Sequence, residues 1–403
     1  MVKVVGMKEG YRFLGEYIRQ VDIRNKEGKK ENLLGVSVQK QFIQSIANTV
    51  GTDFTKYKVV KKGQFTYIPD TSRRGDKIAI ALLEDYEEGL VSNVYTVFEV
   101  IDAEKLLPEY LMLWFSRPEF DRYARFKSHG SVREVMDWEE MCKVELPVPD
   151  IEKQRKIVKA YKTITDRIAL KQKINDNLED TANAIFIKSF LQNTNKENWA
   201  IGCFRDLILD TFGGDWGKET PSGNYTQEVC CIRGTDIPSL NMGSISDAPT
   251  RYILPKNFEN KKINANNMVV EISGGSPVQA TGRIALVPEQ VLTYRGNNLI
   301  CSNFCRVVSV KPKYVYYFLQ NWIYLYRNGR MFDFENSSTG LKNFDFTSFV
   351  ENIEVFMPPE NDIEVFNRHI EPIYKEIFRT GFEIESLKQL KSHILPQLMV
   401  HGI

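Results

Sequence analysis

The chain has 403 residues, 42% hydrophobic and 26% charged, and its 53 basic and 52 acidic side chains leave a net charge of +1. That length is ample for two or three cored domains, and the balance excludes a chain that is basic throughout or too polar to fold. No run approaches the ~18 apolar residues of a membrane span, "MVKVVGMKEG" lacks the apolar core of a signal peptide, and six cysteines in this length do not make a disulfide framework, so a reducing cytoplasm is expected.

Residues 1–149 hold 23 basic and 23 acidic side chains and read as a mixed α/β lobe. Its strand signals include "KIAIA" (77–81) and "LVSNVYTVFEV" (90–100), followed by an apolar helix in "LPEYLMLWF" (107–115). At its end Val144, Leu146 and Val148 alternate as a short strand, Pro147 and Pro149 stop it, and Asp150 stands where a helix N-cap belongs.

From 150 to 198 the pattern changes to a long helix with ten basic against seven acidic residues. Ile157, Tyr161, Ile164, Ile168, Lys171, Asn175, Leu178, Ala182 and Ile185 fall at alternating steps of four and three, which is a coiled-coil seam. Residues 199–359 return to a lobe, with 15 basic and 15 acidic residues, and 360–403 form a second long helix with five basic against seven acidic. Its seam runs through Ile363, Phe366, Ile370, Ile373, Ile377, Thr380, Ile384, Leu387, Lys391, Ile394 and Leu398. Pro372 and Gly381 predict a bend or a looser stretch there. Opposite net charge and matched seams favour pairing of the two helices over two unrelated amphipathic helices, and an antiparallel pair would put the lobes at opposite ends of a rod.

The lobes repeat. "ICSNFCRVVSV" (300–310) follows "LVSNVYTVFEV", and "KPKYVYYFL" (311–319) follows "LPEYLMLWF" with Tyr314 over Tyr110. "GRIALV" (282–287) lies over "GDKIAIA" (75–81), "STGLKNF" (338–344) over "HGSVREV" (129–135), and "VFMPPENDIE" repeats the strand, proline stop and Asp-Ile-Glu helix start of "LPVPDIE". Five matches in order read as a duplication. The expected fold is therefore α+β: two duplicated α/β lobes, 1–149 and 199–359, each followed by a long helix, 150–198 and 360–403.

Catalytic signals are sparse. The four histidines are scattered, no zinc spacing occurs, "GGDWGKET" (213–220) has the wrong spacing for a phosphate loop, and no glycine-rich dinucleotide turn follows a strand. In "CSNFC", on a strand, the thiols are expected to be buried. No metal or cofactor is expected. What remains is polar loop chemistry suited to recognising double-stranded DNA. In the first lobe the candidate contacts are Ser37, Gln39 and Lys40 in "SVQKQ", Arg73 and Arg74 in "DTSRRGDK", and Ser131 and Arg133 in "HGSVREV". In the second they are Lys218 in "GKETPSGNY", Arg233 and Thr235 in "IRGTD", Ser273, Gln279 and Arg283 in "SGGSPVQATGR", and Thr339 and Lys342 in "SSTGLKN". Arg and Lys read guanine edges and phosphates, Gln reads adenine, and hydroxyls and glycine-flanked amides hold phosphate oxygens.

The whole pattern resembles the specificity subunit of type I restriction–modification systems. The resemblance is carried by "VELPVPDIEKQRKIV" with Gln154, by "FGGDWGKETPSGNY" with "VCCIRGTDI" (212–237), and by "SSTGLKNFDFTSFVENIEVFMPP" (337–359). Phe366 stands where the second copy would carry Gln, and the first lobe's opening, "LLGVSVQKQF", is less typical. The resemblance implies that each lobe is a target-recognition domain reading one half of a split, asymmetric DNA site. It further implies an antiparallel coiled coil that spaces the two domains, docking of two methyltransferase subunits and of restriction motor-nuclease subunits, and no catalysis by the chain itself. The alternatives are a specificity subunit of a related restriction or methylation system, and a coiled-coil scaffold that binds protein instead of DNA.

Overall fold

In each lobe a four-stranded antiparallel sheet forms where the sequence runs apolar. The computed structural model describes residues 10–45, 51–71, 75, 77–128, 134–245, 247–276, 278–294, 296–338 and 341–400. The first sheet is ordered Ile18–Val21, Thr96–Val100, Phe65–Ile68, Ala79–Leu82, and the second Ile208–Gly213, Cys305–Val310, Asn267–Glu271, Ile284–Val287. The same order arises twice, and the last two strands of each sheet are buried along their whole length, as their largely apolar runs require.

A helix packs on the last strand of each sheet: Pro108–Phe115 in the first lobe and Val315–Arg327 in the second. Pro108 starts the first directly, its fixed φ suiting the first helical turn. In the second lobe Pro312–Tyr314 forms an extra 3-10 turn ahead of the helix. That insertion corrects the sequence match. Tyr110 donates its hydroxyl to Pro147 O at 2.9 Å, and the residue doing this in the second lobe is Tyr317, to Phe356 O at 2.5 Å, not Tyr314. Likewise Ile80 and Ile284 hold the same sheet position, opposite Tyr67 and Val270, a slip of two from the alignment of "GDKIAIA" with "GRIALV".

Each lobe closes on a two-stranded pair, Tyr11–Phe13 with Glu145–Pro147 and Ala200–Cys203 with Glu354–Met357, and leads into a long helix. The first, Ile151–Phe186, continues as a π turn over Ile187–Leu191; the second, Glu360–Val400, is helical throughout. Gln154 is fully buried and ties the first helix to its lobe: it accepts from Leu107 N at 2.8 Å and donates to Lys105 O at 2.9 Å and Pro149 O at 2.8 Å. Phe366 takes its place in the second copy and packs on Phe190, with ring centroids 4.9 Å apart. The lost polar link moves one residue on, where Asn367 donates to Lys313 O at 2.8 Å.

The chain divides into two compact units, 1–166 with 389–403, and 167–388, so both long helices run through both units. Every seam position of either helix whose side chain is described is buried or half-buried. In the first unit Ile157 and Leu395 share the lobe's core and Lys391 lies over the Tyr161 ring at 4.8 Å. In the second, Lys171 pairs with Glu383, and the buried Asn175 donates to Ile377 O at 3.1 Å. As one helix advances its partners recede, so the coil is antiparallel. Glu360–Val400 is one continuous helix, and the glycine at which a bend was expected has a packing role. A Cβ on Gly381 would lie 1.9 Å from Met242 O and 2.7 Å from Gly243 Cα, so glycine there lets the helix touch the backbone of its lobe. Pro372 sits in an unbroken helix. No helix among the described residues is long and apolar enough to cross a membrane.

Candidate nucleic-acid interface

The second lobe gathers its polar loops around one buried carboxylate. Glu271 ends the central strand and is 2% exposed. A charge so placed costs several kcal/mol unless it is paired. Arg283 supplies the pair in bidentate form, Nε to Oε2 at 2.8 Å and Nη2 to Oε1 at 2.7 Å, and the carboxylate holds the guanidinium above its ordinary pKa. In the first lobe the corresponding neighbours are apolar, Ile68 opposite Ala79. Two glycines let loops close over Glu271. A Cβ on Gly234 or on Gly274 would lie 2.6 or 2.5 Å from its Oε1, and Gly274 has a φ of +148° that favours glycine.

The turn at Gly234 carries Arg233 and Thr235. Arg233 grips the buried Asp236 with two bonds, at 2.9 and 2.8 Å, and donates to Asp247 O at 2.9 Å, while Thr235 is exposed. The loop at Gly274 carries Ser273, whose hydroxyl donates to Asn343 Oδ1 at 2.5 Å. Strand Leu341–Phe344 pairs there with Ser273–Gly274 and with Glu335–Ser338, placing Lys342 opposite Gly274. Lys342 Nζ sits 2.8 Å from Glu335 Oε2 and 4.9 Å over the Phe332 ring. Glu335 also accepts from Thr281 N and Oγ1, at 2.6 and 2.9 Å. Burial would raise its carboxyl, but Lys342 and Thr281 outweigh that and hold it below the usual range. Gln279 is exposed and hydrogen-bonds Tyr326. Six candidates, Arg233, Thr235, Ser273, Gln279, Arg283 and Lys342, thus come from three loops that meet around Glu271.

Lys218 belongs to another loop. It is exposed, lies 4.5 Å over Tyr225 and donates to Ser222 Oγ at 3.3 Å. Beside it, and unmarked by any sequence signal, Arg251 stacks at 4.2 Å on the part-exposed Trp216.

In the first lobe Ser37, Gln39 and Lys40 form the turn between Leu34–Val36 and Phe42–Gln44. Ser37 Oγ donates to Gln41 O at 3.2 Å and Gln39 is exposed. Lys40 has a φ of +65° and turns inward, its Nζ 2.6 Å from Asp121 Oδ1 and 5.5 Å over Phe120. Burial pulls that ammonium below the usual lysine range in spite of Asp121. Arg73, Arg74, Ser131, Arg133 and Thr339 lie outside the described residues. The flanks of two of these loops show how the lobes correspond. Met136 N bonds Pro69 O at 2.9 Å as Phe344 N bonds Ile272 O at 2.7 Å, and Asp137 and Asp345 both cap the next short helix. Met136 therefore matches Phe344, one residue from the sequence alignment, which sets Glu134, not Arg133, at the position of Lys342.

Cys301 and Cys305 are buried as expected, but on two strands, Leu299–Cys301 and Cys305–Val310, and not on one alternating strand; burial pushes the Cys305 thiol up to about 12. Among the described residues no three His, Cys, Asp or Glu side chains are grouped to hold a metal ion.

Residues 13–180 match the family model for the type I restriction modification DNA specificity domain. The chain is 22% identical over 326 residues to the type I restriction enzyme MjaIX specificity subunit of Methanocaldococcus jannaschii, spanning 74% of this chain and 70% of that protein. It is 29% identical over 136 residues to the HindI specificity subunit of Haemophilus influenzae, 33% of this chain and 29% of that one. In fold it is similar to the S subunit of a type I restriction–modification system from M. genitalium, with a TM-score of 0.56 at 12% identity, covering 96% of this chain and 95% of the other. Duplicated α/β lobes, the antiparallel helix pair and these likenesses agree: residues 13–180 carry a type I restriction modification DNA specificity domain, and the chain as a whole is similar to the specificity subunits of type I restriction–modification systems.

Proposed function

We propose that the chain recognises a split, asymmetric site in double-stranded DNA, one half by each lobe (1–149 and 199–359), and performs no chemistry itself. The carrying observation is a repeated frame with different residues in it. In both lobes a polar hairpin or loop is stitched to the strand end after the central strand, by Thr71 N to Glu134 O at 3.1 Å in one and by Ser273–Gly274 with Lys342–Asn343 in the other. The side chains offered there differ, as two readers of different half-sites need.

The helix pair (150–198 and 360–403) would space the lobes and dock two methyltransferase subunits, with restriction motor-nuclease subunits joining that core. Leu170 and Ile174, one turn apart on the first helix and 60% and 38% exposed, support a docking face. Methylome sequencing of the host with and without the gene tests the reading: a bipartite methylated motif should vanish with the gene, and an unchanged methylome rejects it. A second reading, a scaffold for protein partners, is favoured by the neutral lobes and by the acids that occupy Arg233, Arg283 and Lys342. The salt dependence of DNA binding separates them, since phosphate contacts release counterions and a protein scaffold has none to release.

A further inference from the structure

The loop between Gly274 and Arg283 is a finger anchored by hydrogen bonds of its described residues. Its tip closes by two backbone bonds, Ser276 N to Gln279 O at 3.0 Å and Gln279 N to Ser276 O at 3.2 Å, and Ser276 Oγ accepts a third from Gln279 N at 3.1 Å. Its base is held by Tyr326 Oη to Ala280 O at 2.9 Å, by Thr281 on Glu335, by Trp322 Nε1 to Gly282 O at 2.8 Å, and by the Arg283–Glu271 clamp. Gly275, at φ +71°, brings the two sides together, for a Cβ there would stand 2.9 Å from Gln279 O.

This anchored tip presents Val278 to solvent, 92% exposed, higher than any other exposed large hydrophobic residue among those described. Valine has no polar end to turn toward water, and its β-branch leaves it few rotamers. It is therefore an apolar knob with few orientations. Apolar side chains also stand exposed at the finger's base: Phe304, 56% exposed, whose carbonyl accepts from Ile272 N and Ser273 N, and Phe332, 46% exposed beneath Lys342.

On duplex DNA the apolar group offered at a base edge is the thymine 5-methyl, which lies in the major groove. We propose that Val278 reads the 5-methyl group of one thymine in the half-site recognised by the second lobe. The proposal rests on the DNA reading above. Gln279, held by Tyr326, then belongs to the wall that aims the knob, and Val278 is a specificity residue that the motif-based choice of polar candidates passed over.

The test uses the full chain with its co-expressed methyltransferase subunits and duplexes carrying the methylome-derived target. Each thymine of the second-lobe half-site is replaced in turn by deoxyuridine, which removes the methyl and leaves pairing intact. Wild type should lose roughly three- to five-fold in affinity at one position, the size expected for one methyl withdrawn from an apolar contact. Val278→Ala should bind the thymine duplex as weakly as wild type binds that deoxyuridine duplex, and should be indifferent to the substitution, with an unchanged Tm. Specific binding by wild type with no deoxyuridine effect, or with the same effect in Val278→Ala, overturns the proposal alone. A wild-type complex that does not prefer the target to a scrambled duplex rejects the DNA reading itself, and the proposal with it.

Discussion

Lys342 and Arg283 were both legible as cations in polar loops, and both turn out to have acidic partners that the local sequence does not announce. Glu271 lies twelve residues before Arg283, and Glu335 reaches Lys342 only because a hairpin folds back. Arg233 with Asp236 is the exception, since an i, i+3 spacing can be seen in the sequence. The consequence for mutagenesis is quantitative. Arg283→Ala leaves a carboxylate 2% exposed without its partner and should destabilise the lobe by about 3–5 kcal/mol. Chemical denaturation would measure it, and a loss under 1 kcal/mol would mean that Glu271 is solvated or protonated after the change. Lys342→Ala should cost less, about 1–3 kcal/mol at pH 7, and its cost should depend on pH. Glu335 is held below the ordinary 4.5, so its contribution is present above that value and is lost as pH falls through the lower, folded-state pKa. The difference between wild type and Lys342→Ala should therefore be full at neutral pH and shrink below about pH 4.5. A difference that grows on acidification would contradict the ion pair.

At the scale of elements, the heptad seams were readable because a 3.5-residue apolar repeat has one physical use, a helix buried along one stripe by another helix. Pairing followed from the matched seams and opposite net charge, while the antiparallel direction was implied by the resemblance to specificity subunits. The glycine within the second helix was not readable, because local preference and packing point opposite ways there. Alanine is better than glycine in a helix interior by about 1 kcal/mol, so propensity alone has Gly381→Ala stabilising. A Cβ 1.9 Å from Met242 O cannot be accommodated without moving the helix or the loop that ends at Gly243, whose own Cβ would meet Phe378 Cα at 3.0 Å. Overpacking of this kind costs about 1–3 kcal/mol, so the net change should be destabilising. A raised unfolding midpoint for Gly381→Ala would show that the loop yields. The slips between the lobes have a similar origin: one 3-10 turn before Val315 displaces the alignment by three, and hairpin loops of different length displace it by one or two. Order survives such insertions while register does not.

For the whole molecule the duplication was the most legible feature, since it needs only the sequence of signals to recur. Less legible was the composition of each core. The second lobe's core includes Phe186 and Phe190 from the first helix and Phe366, Ile370 and Tyr374 from the second, and the first lobe's includes Ile157 and Leu395. This bears on independence of the two readers. If residues 199–359 are replaced by the corresponding lobe of another specificity subunit, the graft must still present partners to those helix side chains. Tyr317, with its ring 4.7 Å from Phe190, and Trp199, 6.0 Å from it on another side, are the contacts to preserve. A donor with aromatic residues at both places should give a folded chimera, and methylome sequencing should then show one half of the bipartite motif changed and the other half and the spacing kept. Spacing is expected to persist because both seams stay native. A chimera that folds and changes both halves would mean that the lobes do not read independently. One that keeps both halves would mean that bases are read outside 199–359.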